Sequence, residues 1–311
     1  LIGIFIIIAW GLPESLKNFH FKKPLLLFLV LIFFSVLMRL SWVQLHYWQN
    51  SEKLFNHAIE VTDKKYPSFV GIYNNLGVVL NKQLKFKEAM VHLKSAVKLQ
   101  PTYSEAHNNL GNALSGLNRF REANIYYKEA IRLNPNYPEA HNNLANSLSK
   151  QLRLDEAIIY YKKAIQLKPE YYEAHFNFGV TLNKWNRSEQ AIGYLEEAIR
   201  LNPNFTKARL SLGNILMQKY KFKTAIHHFK TIIKMNPNHA IAHNSLGSAL
   251  AEQGNFEQAI VHFHTSITIN PHYLEAHQNL GTIFLILGQP EQSVVYFKIA
   301  KEIAINEKLK Q

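Results

Sequence analysis

Hydrophobic residues form two unbroken runs near the start of the chain, before a periodic pattern takes over. The first run, LIGIFIIIAW, covers residues 1–10, and the second, PLLLFLVLIFFSVLM, covers 24–38. A helix needs about 20 apolar residues to span a bilayer. We therefore predict a truncated transmembrane helix at 1–12, a loop at 13–23 and a transmembrane helix at 24–43. A signal peptide and buried core helices are the alternatives.

Basic residues indicate an orientation for these two segments. The loop between them contains Lys17, Lys22 and Lys23, whereas Arg39 is the nearest basic residue after the second run. Positive charge favours the cytoplasmic side. We therefore expect an integral membrane protein whose remaining chain lies on the non-cytoplasmic side, in the periplasm or a lumen. Because the chain starts at Leu1, inside an apolar run, we also expect it to be a piece of a longer polypeptide.

Prolines set the organisation of the rest of the chain. Six of them recur at intervals of 34 residues: Pro101, Pro135, Pro169, Pro203, Pro237 and Pro271. A fixed period of this length indicates a repeat architecture. Placing each proline at position 32 of its repeat gives seven blocks: 70–103, 104–137, 138–171, 172–205, 206–239, 240–273 and 274–307.

Other positions recur in register with the prolines. Position 8 is small in every block, as at Gly77, Gly111 and Ala145, and position 20 is Ala in six blocks and Ser293 in the last. Small residues let two helix axes approach closely, and proline ends the second helix of each block. This pattern resembles the tetratricopeptide repeat (TPR) over about three quarters of the chain. The resemblance implies an all-α fold, a right-handed superhelical solenoid of about seven helix-turn-helix repeats.

The two ends of the array depart from the repeat. Residues 44–69 read as a connecting half-repeat between the membrane segment, 1–43, and the array, 70–311. The last block has Ile305 where proline is expected, so its second helix is predicted to continue toward Gln311.

Asparagines occupy positions 5, 6 and 9 of the first helix in several blocks. Asn costs about 0.6 kcal/mol relative to Ala in a helix, so its recurrence needs a reason. In TPR proteins this helix surface lines the concave groove, and an amide both donates and accepts hydrogen bonds. We predict a groove that binds an extended peptide. The predicted peptide-binding residues are Asn74, Asn75, Asn108, Asn109, Asn112, Asn142, Asn143, Asn146, Asn177 and Asn279. The alternative is repeat duplication with solvated or repeat-bridging amides.

Composition removes several kinds of chemistry. The chain has no cysteine, so it has no disulfide framework and no thiolate metal site. Five histidines recur at position 4, but neighbours one repeat apart are too distant to share one metal ion, and we expect them to pack as rings between helices. The formal charge of +13 is dispersed, so we expect no nucleic-acid partner. No catalytic motif and no cofactor or metal site is predicted.

The order of the parts suggests a function for the whole. The chain contains, in this order, an apolar end, the sequence GLPE, a second apolar run, the sequence YWQNSEKLFNHAIEVT and then the repeats. This order resembles the junction in membrane proteins of the transmembrane-and-TPR O-mannosyltransferase type and their bacterial relatives. We predict a membrane-anchored TPR scaffold that binds a polypeptide client. The alternative is the substrate-recognition arm of a polytopic membrane glycosyltransferase, whose catalytic part would lie upstream; enzyme activity therefore stays open.

Overall fold

The fold is all-α in the computed structural model, which describes residues 28, 31–39, 42, 51–61 and 69–309. Fifteen helices follow one another from residue 51 onward in this described part, and it contains no strand. They are α1 (Ser51–Val61), α2 (Phe69–Lys82), α3 (Phe86–Leu99), α4 (Ser104–Gly116), α5 (Phe120–Leu133), α6 (Pro138–Lys150), α7 (Leu154–Leu167), α8 (Tyr172–Lys184), α9 (Ser188–Leu201), α10 (Thr206–Gln218), α11 (Phe222–Met235), α12 (Ala240–Glu252), α13 (Phe256–Ile269), α14 (Leu274–Ile286) and α15 (Pro290–Leu309).

The chain forms two compact units, residues 1–126 and 127–311, whose boundary falls within α5. In the first unit, α1 packs on α2, α2 on α3, and α4 on both. An ion pair of 3.0 Å between Lys85 and Glu52 joins α1 to the turn after α2. The core of this unit contains fully buried Leu76, Leu93 and Leu110.

The second unit is a stack of five helix pairs, from α6–α7 to α14–α15. The first helices α8, α10, α12 and α14 each contact both helices of the preceding pair. The two helices of a pair are joined by a turn of three residues, so the chain reverses direction between them. The last helix, α15, is 20 residues long and continues past Ile305 to Leu309.

The small residue at position 8 allows the two helices of a pair to touch. A Cβ atom on Gly213 would lie 2.5 Å from Cε1 of Phe229, and one on Gly77 would lie 2.4 Å from Cγ of Leu93. These neighbouring side chains are fully buried. A methyl group at Gly77 or Gly213 therefore has no space unless the facing side chain or the helix moves.

The turn inside each pair contains one residue in the left-handed conformation, at position 15. This residue is Asn118, Asn186, Gly254 or Gly288 in four blocks, which suits the conformation. In three others it is Leu84, Leu152 or Tyr220, with φ of 62°, 62° and 58°. These three side chains are 73%, 75% and 81% exposed. Large side chains thus occupy strained backbone positions, and no burial of their apolar surface offsets the strain.

The predicted integral-membrane location is wrong. The segment 1–12 and the loop 13–23 lie outside the described residues, and only residues 28, 31–39 and 42 of the second segment are described. Among the described residues, no helix combines the length and the apolar character that a bilayer crossing requires. The prediction that the array lies on the non-cytoplasmic side depended on the integral-membrane location and is wrong with it.

Candidate functional site

The predicted asparagines differ in burial according to their position in the repeat. At position 5, Asn74, Asn108 and Asn142 are only 5%, 4% and 3% exposed. At positions 6 and 9, the side chains reach solvent: Asn75 is exposed, and Asn109, Asn112, Asn143, Asn146, Asn177 and Asn279 are half-buried. Only this second group lies where a ligand has direct access.

Hydrogen bonds between asparagines join first helices one block apart. The position-6 Nδ2 donates to the position-5 Oδ1 of the preceding block in three described pairs: Asn109 to Asn74 at 2.9 Å, Asn177 to Asn142 at 3.1 Å, and Asn279 to Asn244 at 2.9 Å. Within one helix, Asn142 Nδ2 also donates to Asn143 Oδ1 at 3.3 Å. These bonds agree with the repeat-bridging interpretation of the asparagine pattern. Both the Nδ2 and the Oδ1 atoms of Asn142 take part in them.

An open pocket of about 800 Å³ lies in the second unit, along the first helices α6 and α8. It contains two of the predicted residues, Asn146 and Asn177. Its lining is Asn146, Ser149, Lys150, Leu152, Tyr161, Asn177, Val180, Thr181, Lys184 and Trp185. No other predicted peptide-binding residue lines this pocket, so the structure places only these two asparagines at it.

A chain of hydroxyl groups fixes the orientation of the Asn146 amide. Burial raises the pKa of the Tyr161 phenol, so its hydroxyl keeps its proton and donates to Asn146 Oδ1 at 2.6 Å. The Tyr161 oxygen then accepts from Thr181 Oγ1 at 3.1 Å, and Thr181 accepts from Ser149 Oγ at 3.3 Å. The carbonyl end of Asn146 is therefore occupied, and its NH₂ group is left without a protein partner in the described part of the chain.

The Asn177 amide is left with the complementary polar group. Its Nδ2 donates to Asn142, so its Oδ1 has no hydrogen bond to any described residue. The pocket thus presents two N–H donors on Asn146 and one oxygen acceptor on Asn177. A peptide group, which has one N–H and one C=O, has the matching pair.

Charge in the pocket is entirely positive. Lys150 and Lys184 both line it, at the C-terminal ends of α6 and α8, and no acidic residue does. Neither lysine forms an ion pair with a residue that the structure describes. Sequence reasoning missed these lysines together with Leu152 and Trp185. The available signal was lysine at position 13 of two consecutive blocks, with a large apolar residue in the turn between their helices.

The histidines at position 4 have a structural role. The Nε2 of His107, His141, His175, His243 and His277 lies 2.8 to 3.0 Å from the carbonyl oxygen of the proline six residues earlier. The rings also lie beside an aromatic residue of the second helix, as His141 does beside Tyr160 at 5.9 Å between ring centroids. In the fifth block Arg209 takes this place, and its Nε donates to Pro203 at 3.0 Å. Among the described residues, no group of three His or acidic side chains could hold a metal ion.

The comparisons with known proteins identify the repeat. Models described as tetratricopeptide repeat match residues 104–137, 138–171, 160–193 and 240–273, which confirms the expected resemblance to TPR proteins. No curated protein sequence matches the chain. These matches give no support to a resemblance to O-mannosyltransferases.

Three solved structures are similar to parts of this chain, and the two with TM-scores above 0.5 show the same type of fold. YrrB, described as a TPR protein with an unusual peptide-binding site, is 26% identical with a TM-score of 0.49, over 59% of this chain and 95% of YrrB. PilF of Pseudomonas aeruginosa is 21% identical with a TM-score of 0.59, over 67% of this chain and 95% of PilF. A TPR protein from Parabacteroides merdae is 17% identical with a TM-score of 0.58, over 78% of this chain and 96% of that protein.

Proposed function

Because the chain carries tetratricopeptide repeats, we propose that it is a binding scaffold that holds an extended peptide segment at the pocket formed by α6, α7 and α8. One observation carries this proposal: Asn146 and Asn177 line a single pocket and keep opposite ends of their amides without a protein partner. The two groups are of complementary type and belong to one pocket, which supports a ligand that has both a hydrogen-bond acceptor and a donor.

The proposed contacts follow from the orientation of the two amides. Asn146 Nδ2 donates to a peptide C=O, and Asn177 Oδ1 accepts from a peptide N–H. Contacts of this kind recognise main-chain groups, so they hold many sequences in an extended form. Both amides are positioned in advance, Asn146 by Tyr161 and Asn177 by Asn142, which reduces the entropy lost on binding.

The other predicted asparagines have different roles in this proposal. Asn74 and Asn142 join neighbouring helices and hold the scaffold, and buried Asn108 has an interaction of its own. Peptide contacts by the half-buried or exposed Asn75, Asn109, Asn112, Asn143 and Asn279 stay predictions. No observation on the described residues favours the alternative of a recognition arm in a membrane glycosyltransferase.

The test replaces the free donor without changing the shape of the side chain. Asn146→Asp keeps the oxygen that accepts from Tyr161 and removes the N–H donors. A bead-displayed random decapeptide library is first selected on the wild-type protein, and the affinity of selected peptides is measured by fluorescence anisotropy. Asn146→Asp should weaken binding at least tenfold, which corresponds to about 1.4 kcal/mol.

A matched control separates this effect from a change in the helix. Asn214→Asp makes the same substitution at position 9 of α10, where the side chain is exposed and outside the pocket. This variant should keep wild-type affinity, and circular dichroism should show both variants folded. Failure of the wild-type protein to select any peptide, or equal affinity of Asn146→Asp and wild type, would disprove the proposal.

A further inference from the structure

The pocket between α6 and α8 has a chemical character beyond its two free amides. Its charged lining residues are Lys150 and Lys184 alone, with no acidic residue to neutralise them. Lysine is favoured at the C-terminal end of any helix by the helix dipole. The dipole explains one lysine on each helix, but it does not explain a pocket that receives both lysines and excludes acidic side chains.

Apolar groups lie in the same pocket as the lysines. Leu152, Val180 and Trp185 contribute to the lining. Leu152 is 75% exposed and has a φ of 62°, a conformation that costs a residue with a Cβ about 1–2 kcal/mol. At the same position of the blocks on either side, Asn118 and Asn186 adopt this conformation with a residue type that tolerates it. Leucine at this turn leaves an apolar side chain exposed at the pocket, where a ligand can contact it.

We infer that this pocket selects peptide segments in which a carboxylate lies within two residues of a large apolar side chain. The carboxylate binds between Lys150 and Lys184, and the apolar side chain contacts Leu152 and Trp185. The inference rests on the proposed function, since Asn146 and Asn177 are the groups that hold the peptide backbone beside these side chains. It adds the class of peptide that the scaffold recognises.

Both lysines of the pocket stand at position 13 of their blocks, at the end of the first helix. The carboxylate is therefore expected near the turns inside the helix pairs, on the same side as Leu152. The peptide should approach α6 and α8 close to their C-terminal ends.

The decisive experiment reads sequence preference as well as affinity. The wild-type protein and the double variant Lys150→Gln, Lys184→Gln are each incubated with the bead-displayed random decapeptide library, and bound peptides are sequenced. The wild type should enrich Asp, Glu or a free C-terminal carboxylate within two residues of Leu, Ile, Phe or Met. The double variant should lose the acidic enrichment and bind the selected wild-type peptides at least tenfold more weakly.

A charge-reversal variant makes the test more specific. Lys150→Glu with Lys184→Glu should enrich Lys or Arg in place of acidic residues, an outcome that general loss of structure cannot produce. Selection of peptides without acidic enrichment by the wild type would overturn this inference and leave the proposed function standing. Selection of no peptide at all would overturn both.

The contribution of Leu152 is tested with a control of the same residue type. Leu152→Asn should reduce the enrichment of large apolar residues while the acidic enrichment persists. Leu84→Asn changes a leucine of nearly the same φ and exposure that does not line the pocket, and it should leave both preferences unchanged. Equal apolar enrichment by Leu152→Asn and wild type would overturn the apolar part of the inference.

Discussion

Asn279 donates through its Nδ2 to Oδ1 of Asn244 at 2.9 Å, which joins the first helices of the last two helix pairs. Asn244, the acceptor, is 8% exposed, so water has little access to replace this acceptor if Asn244 is lost. The same bond occurs between Asn177 and Asn142 and between Asn109 and Asn74. Each bond satisfies polar groups where two helices pack, and so it helps to set how one pair stacks on the next.

Removing this bond should destabilise the protein without affecting the pocket. Asn244→Ala loses a buried hydrogen bond at a cost of about 1–2 kcal/mol, and it gains about 0.6 kcal/mol of helix propensity. We expect a net loss of about 1 kcal/mol in the free energy of unfolding, measured by urea denaturation.

Asn214→Ala provides the reference for this prediction. Its side chain is exposed and makes no hydrogen bond with a described residue, so only the gain in helix propensity, about 0.6 kcal/mol, applies. If Asn244→Ala were as stable as Asn214→Ala, the bridges would make no contribution to stability.

The repeat itself could be predicted from the sequence because its physical causes are local. Proline at position 32 ends a helix wherever it stands, and a small residue at position 8 is required wherever two helices touch. Both are visible as a period of 34 residues without knowledge of any contact. The repeat therefore followed from the spacing, and its resemblance to the tetratricopeptide repeat implied the all-α fold.

The site could be predicted only in part because burial depends on neighbouring helices. A rotation of 100° per residue places Asn142 and Asn143 away from the packed face of their own helix, but it does not show that the next first helix covers Asn142. The pocket residues Lys150, Leu152 and Trp185 belong to two different blocks, and Leu152 and Trp185 lie in two different turns. Their proximity depends on how the pairs stack, which periodicity does not encode.

The close approach at position 8 makes a glycine substitution informative. Gly213→Ala places a methyl group 2.5 Å from Cε1 of Phe229, a ring that is fully buried and has no space to move. Overpacking of this kind costs about 1–3 kcal/mol. Because alanine is also favoured over glycine in a helix by about 1 kcal/mol, we expect Gly213→Ala to lower the free energy of unfolding by up to about 2 kcal/mol in urea denaturation.

Gly193→Ala is the matched control for this substitution. Gly193 lies inside α9, is exposed, and a Cβ there would meet no atom within 4 Å. Alanine is favoured over glycine in a helix by about 1 kcal/mol, so this variant should gain stability. Stabilisation by both substitutions would contradict the proposed steric role of position 8.

The strained turn residues predict substitutions that increase stability. Leu152→Asn places a residue that tolerates positive φ at a position where the leucine side chain is mostly exposed, so little apolar burial is lost. Since the left-handed conformation costs about 1–2 kcal/mol for ordinary residues, we expect a gain of about 0.5–1 kcal/mol. Thermal and urea denaturation measure it.

The reverse substitution tests the same explanation. Asn186→Leu introduces leucine at the equivalent turn, where φ is 58°, and should lose a similar amount of stability. A stable Asn186→Leu variant together with an unstable Leu152→Asn variant would show that the backbone conformation is not the source of the strain.

Buried histidines predict that the protein loses stability as pH falls below neutrality. Burial lowers the pKa of His228 to about 4, with a smaller effect from the charges of Arg209 and His227. The unfolded chain binds a proton near pH 6.5, whereas the folded chain does not bind it until about pH 4. Stability from this group is therefore complete above pH 6.5 and decreases as pH falls toward 4. Burial also lowers the pKa of His92, His141 and His262, which act in the same direction.

The pH window distinguishes these histidines from the acidic residues. Hydrogen bonds to arginine or lysine lower the pKa of Glu156, Glu189 and Glu197, so their contribution is lost only as pH falls below about 4.5. Between pH 6.5 and 4.5, His228→Gln should show a smaller decrease in urea midpoint than the wild type. His272→Gln, which changes an exposed histidine in a turn, should follow the wild type. An unchanged pH dependence in His228→Gln would mean that the folded protein and the unfolded chain bind a proton at His228 over the same pH range.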